Sequence, residues 1–184
     1  MRQGRQQDRA PGAHGAGWQV GGVPGFQPIG IAHGQWYRLI TSAFLHLLPA
    51  QPPLGIAHII MNMWSLWILG PLVEQVTGRL RFAVLYLLSA LGSSVLVYLI
   101  APDANVYGAS GAIFGLAGAY FVICRRLERD IWYANRLIAF SLIWLVATAW
   151  FVSWEGHLGG LLAGGALGLA YAAAPAKRRT AVQA

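Results

Sequence analysis

The sequence has little charge and almost no cysteine. Of its 184 residues only 10% are charged while 57% are hydrophobic, and Cys124 is the single cysteine. One cysteine excludes an intramolecular disulfide. The low charge argues against an ordinary soluble domain, in which about a quarter of the residues are charged. The apolar residues fall in blocks near membrane-spanning length, which indicates an integral membrane protein.

The first 35 residues have no helical or strand period and no apolar run of the length that a signal peptide or a span requires. They are rich in Gly, Pro and Gln. We expect residues 1–17 to be a disordered tail, followed by an irregular loop outside the membrane up to Gln35. The predicted transmembrane domain covers 18–174, and residues 175–184 form a short basic tail.

Five apolar segments occupy the rest of the chain, each close to the ~20 residues that cross ~30 Å of hydrocarbon as a helix. Backbone groups in lipid must be satisfied within the structure, and the alternation typical of porin strands is missing from the sequence. The pattern therefore predicts an all-α membrane protein with five transmembrane helices. They cover about 55–73, 82–101, 106–124, 134–152 and 156–174.

The basic residues predict the orientation of these helices. If every segment crosses the membrane, nine basic residues lie on one side, and the loops around Asp103 and Glu155 on the other side carry none. The positive-inside rule makes the basic side cytoplasmic. The net charge of +7 then reflects topology, so the expected partner is the lipid bilayer and not nucleic acid. The nine are Arg79, Arg81, Arg125, Arg126, Arg129, Arg136, Lys177, Arg178 and Arg179.

Five polar side chains lie in or beside the predicted helices: His58, Asn62, Glu74, Ser110 and His157. Ionisable groups inside a membrane are costly and mark functional sites by default. The simpler role for each is an interhelical hydrogen bond that holds the bundle together. No metal or cofactor is expected from this set.

Ser110 and His157 form the most informative pair. Both begin segments that enter the membrane from the same side, here the outer face, and a serine becomes a nucleophile when a base takes its proton. Small residues on one face of each helix allow the two helices to approach closely. These are Gly111, Gly115 and Gly118 on the third segment, and Gly156, Gly160, Gly164 and Gly168 on the fifth.

A serine that attacks a carbonyl also needs hydrogen-bond donors for the oxyanion that develops. His58 and Asn62 are one helical turn apart near the outer end of the first segment, so both side chains share a face. The backbone N–H of Ser110, near a helix N-terminus, is a third candidate donor. None of the acidic residues is well placed to orient His157, so we predict a Ser-His dyad rather than a triad.

Several sequence blocks, in this order, resemble the rhomboid family of intramembrane serine proteases. The resemblance covers about 18–174, and the serine and histidine motifs together are its most specific part. The blocks are QWYRLITSAFLH (35–46), HIIMNMWSLWILG (58–70), GPLVEQVTG (70–78), GASGAIFGLAGA (108–119) and GHLGGLLAG (156–164).

The resemblance implies a rhomboid-like helical bundle in which Ser110 is the nucleophile and His157 the general base. It implies His58 and Asn62 as oxyanion-hole side chains. Among supporting residues, it implies that Phe114 lies against His157, that Trp36 and Arg38 shape a membrane-embedded loop, and that Glu74 anchors a helix end. Gly108, Gly111, Gly160 and Gly164 belong to the serine and histidine motifs.

Two features depart from the family pattern. The bacterial core fold has six spans, and the sequence shows five; the usual first span, upstream of the Trp-Arg block, is missing, and we expect truncation of a longer protein. The segment from His46 to His58 is also longer than is common in the family. It contains three prolines, which disfavour a continuous helix, so we expect an inserted loop near the site.

The implied function is proteolysis of transmembrane protein substrates at the outer face of a bacterial cytoplasmic membrane. Two other classes remain open at this point. A non-catalytic relative would bind membrane clients, but such members usually lack the serine or the histidine. A small transporter or channel would carry polar residues at several depths, whereas here they cluster near one face.

Overall fold

The computed structural model describes residues 19–20, 23–24, 31, 34–46, 55–101, 104, 106–150 and 152–173. The predicted disordered tail over 1–17 and the basic tail over 175–184 lie outside these residues. So does most of the predicted inserted loop after His46.

The described part of the chain is a bundle of five long helices, which confirms the predicted all-α fold. A short helix α1 (Arg38–Thr41) and a single 3₁₀ turn (Ser42–Phe44) precede them. The long helices are α2 (Gly55–Thr77), α3 (Arg79–Ile100), α4 (Ser110–Arg126), α5 (Ile131–Thr148) and α6 (Trp154–Ala173).

Two strands of two residues each lie in the segment that we expected to be an irregular loop. Strand β1 (Gln19–Val20) pairs with β2 (Val23–Pro24) in antiparallel fashion, with Val20 opposite Val23. Strands this short contain too few residues for the alternation of apolar and polar positions to be visible in a sequence.

The helix ends differ from the predicted ones by at most four residues, and one difference affects the site. The third helix was expected from about residue 106, because the sequence is apolar from there, but α4 begins only at Ser110. Gly108 has a φ of +114°, which belongs to a turn and not to a right-handed helix. Ser110 is therefore the first residue of α4, where its backbone N–H has no partner within the helix.

Within the described residues, three helices are long and apolar enough to cross a membrane by themselves: α2, α3 and α5. Large apolar side chains such as Trp67 on α2 and Val146 on α5 are about 70% exposed, as expected for a surface that faces lipid. The other two long helices, α4 and α6, are rich in glycine. Residues 111–120 of α4 are all buried, so this helix is enclosed by other helices.

The two ends of the bundle carry different chemistry. At one end the start of α3 meets the end of α6, where the Tyr171 hydroxyl donates a hydrogen bond to the Arg81 carbonyl oxygen over 3.2 Å. The starts of α4 and α6, with Ser110 and His157, lie together at the other end. The arginines of the α2–α3 junction and the candidate site thus occupy opposite ends.

Candidate active site

Ser110 and His157 are in hydrogen-bond contact. The Oγ of Ser110 lies 2.9 Å from Nε2 of His157, although 47 residues separate them in the sequence. His157 is buried and Ser110 is partly exposed. A partly exposed hydroxyl beside a shielded imidazole has the geometry that a serine nucleophile and its base require.

The ring of Phe114 fixes the plane of the His157 ring. The two rings are parallel within 7°, with centroids 4.3 Å apart. Phe114 lies one helical turn after Ser110, so it projects from the same face of α4. Phe114 and His157 therefore lie against each other although they belong to different helices.

Glycines on α4 and α6 bring the serine and the histidine together. A β-carbon added at Gly160 would overlap the carbonyl oxygen of Gly111, and one at Gly164 would overlap that of Gly115. The two helix backbones are therefore in direct contact at both positions. Any larger side chain would push the helices apart and lengthen the Ser110–His157 contact.

The second ring nitrogen of His157 has no hydrogen-bond partner among the described residues, although it is buried. The neighbouring carboxylate of Glu155 accepts a hydrogen bond from the Ser153 hydroxyl over 3.0 Å. That hydroxyl also accepts one from the backbone N–H of Gly156, so Glu155 takes part in the turn that starts α6. Among the described residues no carboxylate is hydrogen-bonded to the His157 ring.

His58 and Asn62 lie against the turn that leads into Ser110. A β-carbon at Gly108 would stand 2.7 Å from Cε1 and 3.0 Å from Nε2 of His58, and 3.6 Å from Nδ2 of Asn62. Asn62 is buried and donates one amide hydrogen to the His58 carbonyl oxygen over 2.8 Å. The second amide hydrogen of Asn62 and the Nε2 edge of His58 therefore lie beside the turn at Gly108, which leads into Ser110.

The Trp-Arg block anchors the same turn. The backbone N–H of Gly108 donates to the carbonyl oxygen of Ser42 over 3.0 Å, and the Ser42 hydroxyl lies 3.3 Å from that of Ser94 on α3. Arg38 is buried and its Nε donates a hydrogen bond to Oε1 of Gln35, whereas Trp36 is 61% exposed. Only Arg38 of the two predicted loop residues therefore lies inside the fold.

Glu74 joins the end of α2 to the start of α3. Its carboxylate lies 3.4 Å from Nε of Arg79, whose side chain is 95% exposed. The helix-end role predicted for Glu74 thus takes the form of a surface ion pair, an interaction worth about 0–1 kcal/mol. It is remote from Ser110.

Sequence reasoning missed the serines of α3 that complete the packing under the site. The side chain of Ser93 fills the space beside Gly111, and that of Ser89 the space beside Gly115. Both are buried and one helical turn apart. The signal was present, since Ser89 and Ser93 are small residues four positions apart, which is also the spacing of Gly111 and Gly115 in α4.

In the part of the chain that the structure describes, no group of three or more His, Cys, Asp or Glu side chains is arranged to hold a metal ion.

Tyr107 contacts the ring of His58 edge-on, with centroids 6.1 Å apart. Burial raises the pKa of the Tyr107 phenol, so it stays protonated at neutral pH. The site therefore brings together the hydroxyls of Ser110 and Tyr107 and the imidazoles of His58 and His157.

Comparison with known proteins identifies relatives over most of the chain. A family model of the rhomboid domain matches residues 33–174. The chain is 33% identical over 158 residues to the rhomboid protease GluP of Bacillus subtilis, a match that covers 80% of this chain and 29% of GluP. It is 33% identical over 141 residues to the putative rhomboid protease YdcA of the same organism, covering 74% of this chain and 67% of YdcA.

A plant relative is also similar. RHOMBOID-like protein 6, mitochondrial, of Arabidopsis thaliana is 35% identical over 139 residues, covering 72% of this chain and 42% of the relative. The chain thus spans less than a third of GluP, less than half of the plant protein and about two thirds of YdcA.

Proposed function

Because this chain belongs to the rhomboid family, we propose that it is an intramembrane serine protease. It hydrolyses peptide bonds in or near the transmembrane segments of membrane-protein substrates by a Ser-His dyad. The observation that carries the proposal is the 2.9 Å contact between the Ser110 hydroxyl and Nε2 of His157.

In this mechanism Ser110 attacks the scissile carbonyl while His157 accepts its proton. The developing oxyanion receives hydrogen bonds from the backbone N–H of Ser110 and from the side chains of Asn62 and His58. His157 then gives the proton to the leaving amine, and water hydrolyses the acyl-enzyme by the same route. Neither step requires a metal or a cofactor.

The substrate must present an extended backbone. The carbonyl of a helical peptide bond is already hydrogen-bonded in its own helix, so the substrate helix has to unwind at the cleavage site. The small residues Ala109 and Gly111 flank the nucleophile and favour close approach of such a strand.

The protein is an integral membrane protein, and we propose that its site faces the non-cytoplasmic side. Arg79 and Arg81 lie at the end of the bundle opposite Ser110, and the α4–α5 junction with Arg125, Arg126 and Arg129 is at that end too. The positive-inside rule makes this end cytoplasmic. In a bacterium the site then faces the outer leaflet of the cytoplasmic membrane.

The test is covalent labelling of the full chain in detergent with a serine-reactive phosphonate, compared with Ser110→Ala and His157→Ala. We expect labelling of the unmodified chain, none of Ser110→Ala and slow labelling of His157→Ala. Cleavage of a model transmembrane substrate in proteoliposomes should follow the same order. A folded, unmodified chain that neither reacts nor cleaves would contradict the proposal and favour a client-binding relative.

A further inference from the structure

A further histidine, His46, lies beside His58 at the Gly108 turn and has no role in the reaction proposed above. His46 follows the 3₁₀ turn, and its ring packs against that of His58 at the start of α2. The ring centroids are 5.4 Å apart and the planes are tilted by 52°. Of the chain's five histidines, these two come from separate segments of the chain to meet at the site end of the bundle.

Each of the two rings has a buried nitrogen without a hydrogen-bond partner among the described residues: Nε2 of His46 and Nδ1 of His58. Burial lowers the pKa of the His46 imidazole, and the backbone of Phe44 opposes that shift. A backbone carbonyl that favours the protonated ring faces a ring N–H, which we assign to Nδ1 because Nε2 has no partner among the described residues. A ring that donates from one nitrogen to a backbone carbonyl presents a lone pair on the other nitrogen, which is the usual state of a metal-binding histidine.

The chemistry of the turn points to the opposite tautomer for His58, with the proton on Nε2. Its Nε2 edge faces Gly108, where the proposed reaction needs an N–H donor. A neutral imidazole that carries its proton on Nε2 has a lone pair on Nδ1. The two unpartnered nitrogens are thus both acceptors, and a buried acceptor without a donor or a cation is unfavourable.

We propose that His46 and His58 form a binding site for a divalent transition-metal ion of the Zn²⁺ class, and that the bound ion inhibits the enzyme. Two imidazoles on one tetrahedral ion, with metal–nitrogen distances of about 2.0–2.1 Å, place their ring centroids roughly 5 Å apart. The observed centroid distance of 5.4 Å fits this separation, so the rings have to turn towards the ion but the two segments do not have to move apart or together. Imidazole nitrogen suits Zn²⁺, Cu²⁺ and Ni²⁺, whereas Mg²⁺ and Ca²⁺ prefer oxygen.

The described residues supply the site with two ligands, so water completes the coordination and the ion exchanges. This distinguishes it from a structural zinc site, which is closed by four protein ligands. Inhibition, which rests on the proposed function, follows because chelation turns the His58 ring towards His46. Its Nε2 edge then leaves the Gly108 turn, where the oxyanion donor is required.

The metal site can be tested without any activity measurement. The full chain with Ser110→Ala and without a polyhistidine tag is titrated in detergent with Co²⁺, followed by its visible absorption, and then with competing Zn²⁺. We expect one ion per chain, displaced by Zn²⁺ and not by Mg²⁺. His46→Phe keeps a flat ring but removes both nitrogens, and should weaken binding about 10-fold or more. His46→Gln, which also removes both ring nitrogens, is a second variant that should weaken Co²⁺ binding in the same way.

His33→Phe is the matched control, since it removes a histidine outside the pair. Equal Co²⁺ binding by the His46 and His33 variants, or displacement by Mg²⁺ as readily as by Zn²⁺, would overturn the metal site. In the active chain, Zn²⁺ should inhibit cleavage, and His46→Phe should shift the inhibition curve about 10-fold or more, each variant being compared with its own metal-free rate. A metal-free chain that cleaves nothing would count against the proposed function, while the Co²⁺ spectrum would still decide the metal site.

Discussion

Gly164 on α6 packs directly against the carbonyl oxygen of Gly115 on α4, and a β-carbon at Gly164 would overlap that oxygen. Gly160 meets Gly111 in the same way one turn closer to the site. Lipid tails are as apolar as side chains, so helices in membranes associate through such close packing rather than through the hydrophobic effect. The contact that holds the bundle together is thus the one that sets the distance between Ser110 and His157.

Substitution of Gly164 by Ala should therefore destabilise the bundle and reduce activity. The added methyl meets backbone, which cannot give way cheaply, and overpacking of this kind costs about 1–3 kcal/mol. The neighbouring Gly165→Ala is the control, because its β-carbon meets only Val122 Cγ2, at 3.9 Å, among the described residues. Thermal unfolding in detergent measures the difference. Equal melting temperatures for the two variants would contradict direct backbone contact between α4 and α6.

Substitution of Gly108 should affect the protein for two reasons, and a control variant can separate them. Gly108→Ala places a methyl group against the His58 ring and also strains a backbone with a φ of +114°. Gly78 has a φ of +80°, and a β-carbon there meets nothing within 4 Å in the described part of the chain. Both variants should lose roughly 1–2 kcal/mol of stability.

Only Gly108→Ala should also lose catalysis in the folded protein, by about 10- to 100-fold, because it displaces His58 from the turn. The measurement is kcat for a transmembrane substrate, corrected for the folded fraction of each variant. A similar loss in Gly78→Ala would attribute the effect to backbone strain alone.

Phe114→Leu should slow the reaction by removing the ring that holds His157 in plane. Aromatic pairs contribute about 0.5–1.5 kcal/mol beyond their buried area, which corresponds to a factor of about 2–12 in kcat. Phe140→Leu removes a wider stack on Trp144, with centroids 6.1 Å apart, from the lipid-facing side of α5 and should leave kcat unchanged. Phe114→Tyr retains the ring and should restore most of the rate. If the two leucine variants had the same kcat, the stack would have no role in positioning the base.

Loss of the Asn62 amide should cost about 10²- to 10³-fold in kcat with little change in KM, as expected for a donor that acts mainly in the transition state. Asn62→Asp is nearly isosteric and removes the amide hydrogens. Ser141→Ala is a suitable control, since Ser141 is also buried and donates to a carbonyl one turn earlier in its own helix, over 3.0 Å. Comparable kcat values for the Asn62 and Ser141 variants would indicate that Asn62 serves only its helix.

Much of the fold could be predicted because the membrane imposes a simple requirement. A helix that crosses it must be apolar over a set length, so five apolar segments predicted five helices within a few residues. The prediction was least accurate at the start of α4, because hydropathy does not distinguish Val106 and Tyr107 in an extended turn from the same residues in a helix. The positive φ of Gly108 that ends the turn has no counterpart in a hydropathy profile.

The pairing of the candidate residues was predicted from the glycine spacing, but their surroundings were not. Ser42 holds the Gly108 turn through its backbone carbonyl, and any residue at that position has a carbonyl, so the sequence carries no signal for this contact. Ser89 and Ser93 are different, because their small side chains do follow a regular spacing. The meeting of His46 with His58 depends on how the chain returns from the 3₁₀ turn to α2, which the sequence between them does not specify.

The sequence by itself determined which segments are helical, which end of the bundle is basic and which helix faces carry only small residues, since these follow from composition and periodicity. The tertiary structure decided which atoms meet: the Ser110 hydroxyl with Nε2 of His157, Phe114 with the same imidazole, and Gly108 with His58. The reason is physical. Periodicity fixes the face on which a residue lies, whereas a hydrogen bond depends on distances of a few tenths of an ångström, and these are set by the packing of whole helices against one another.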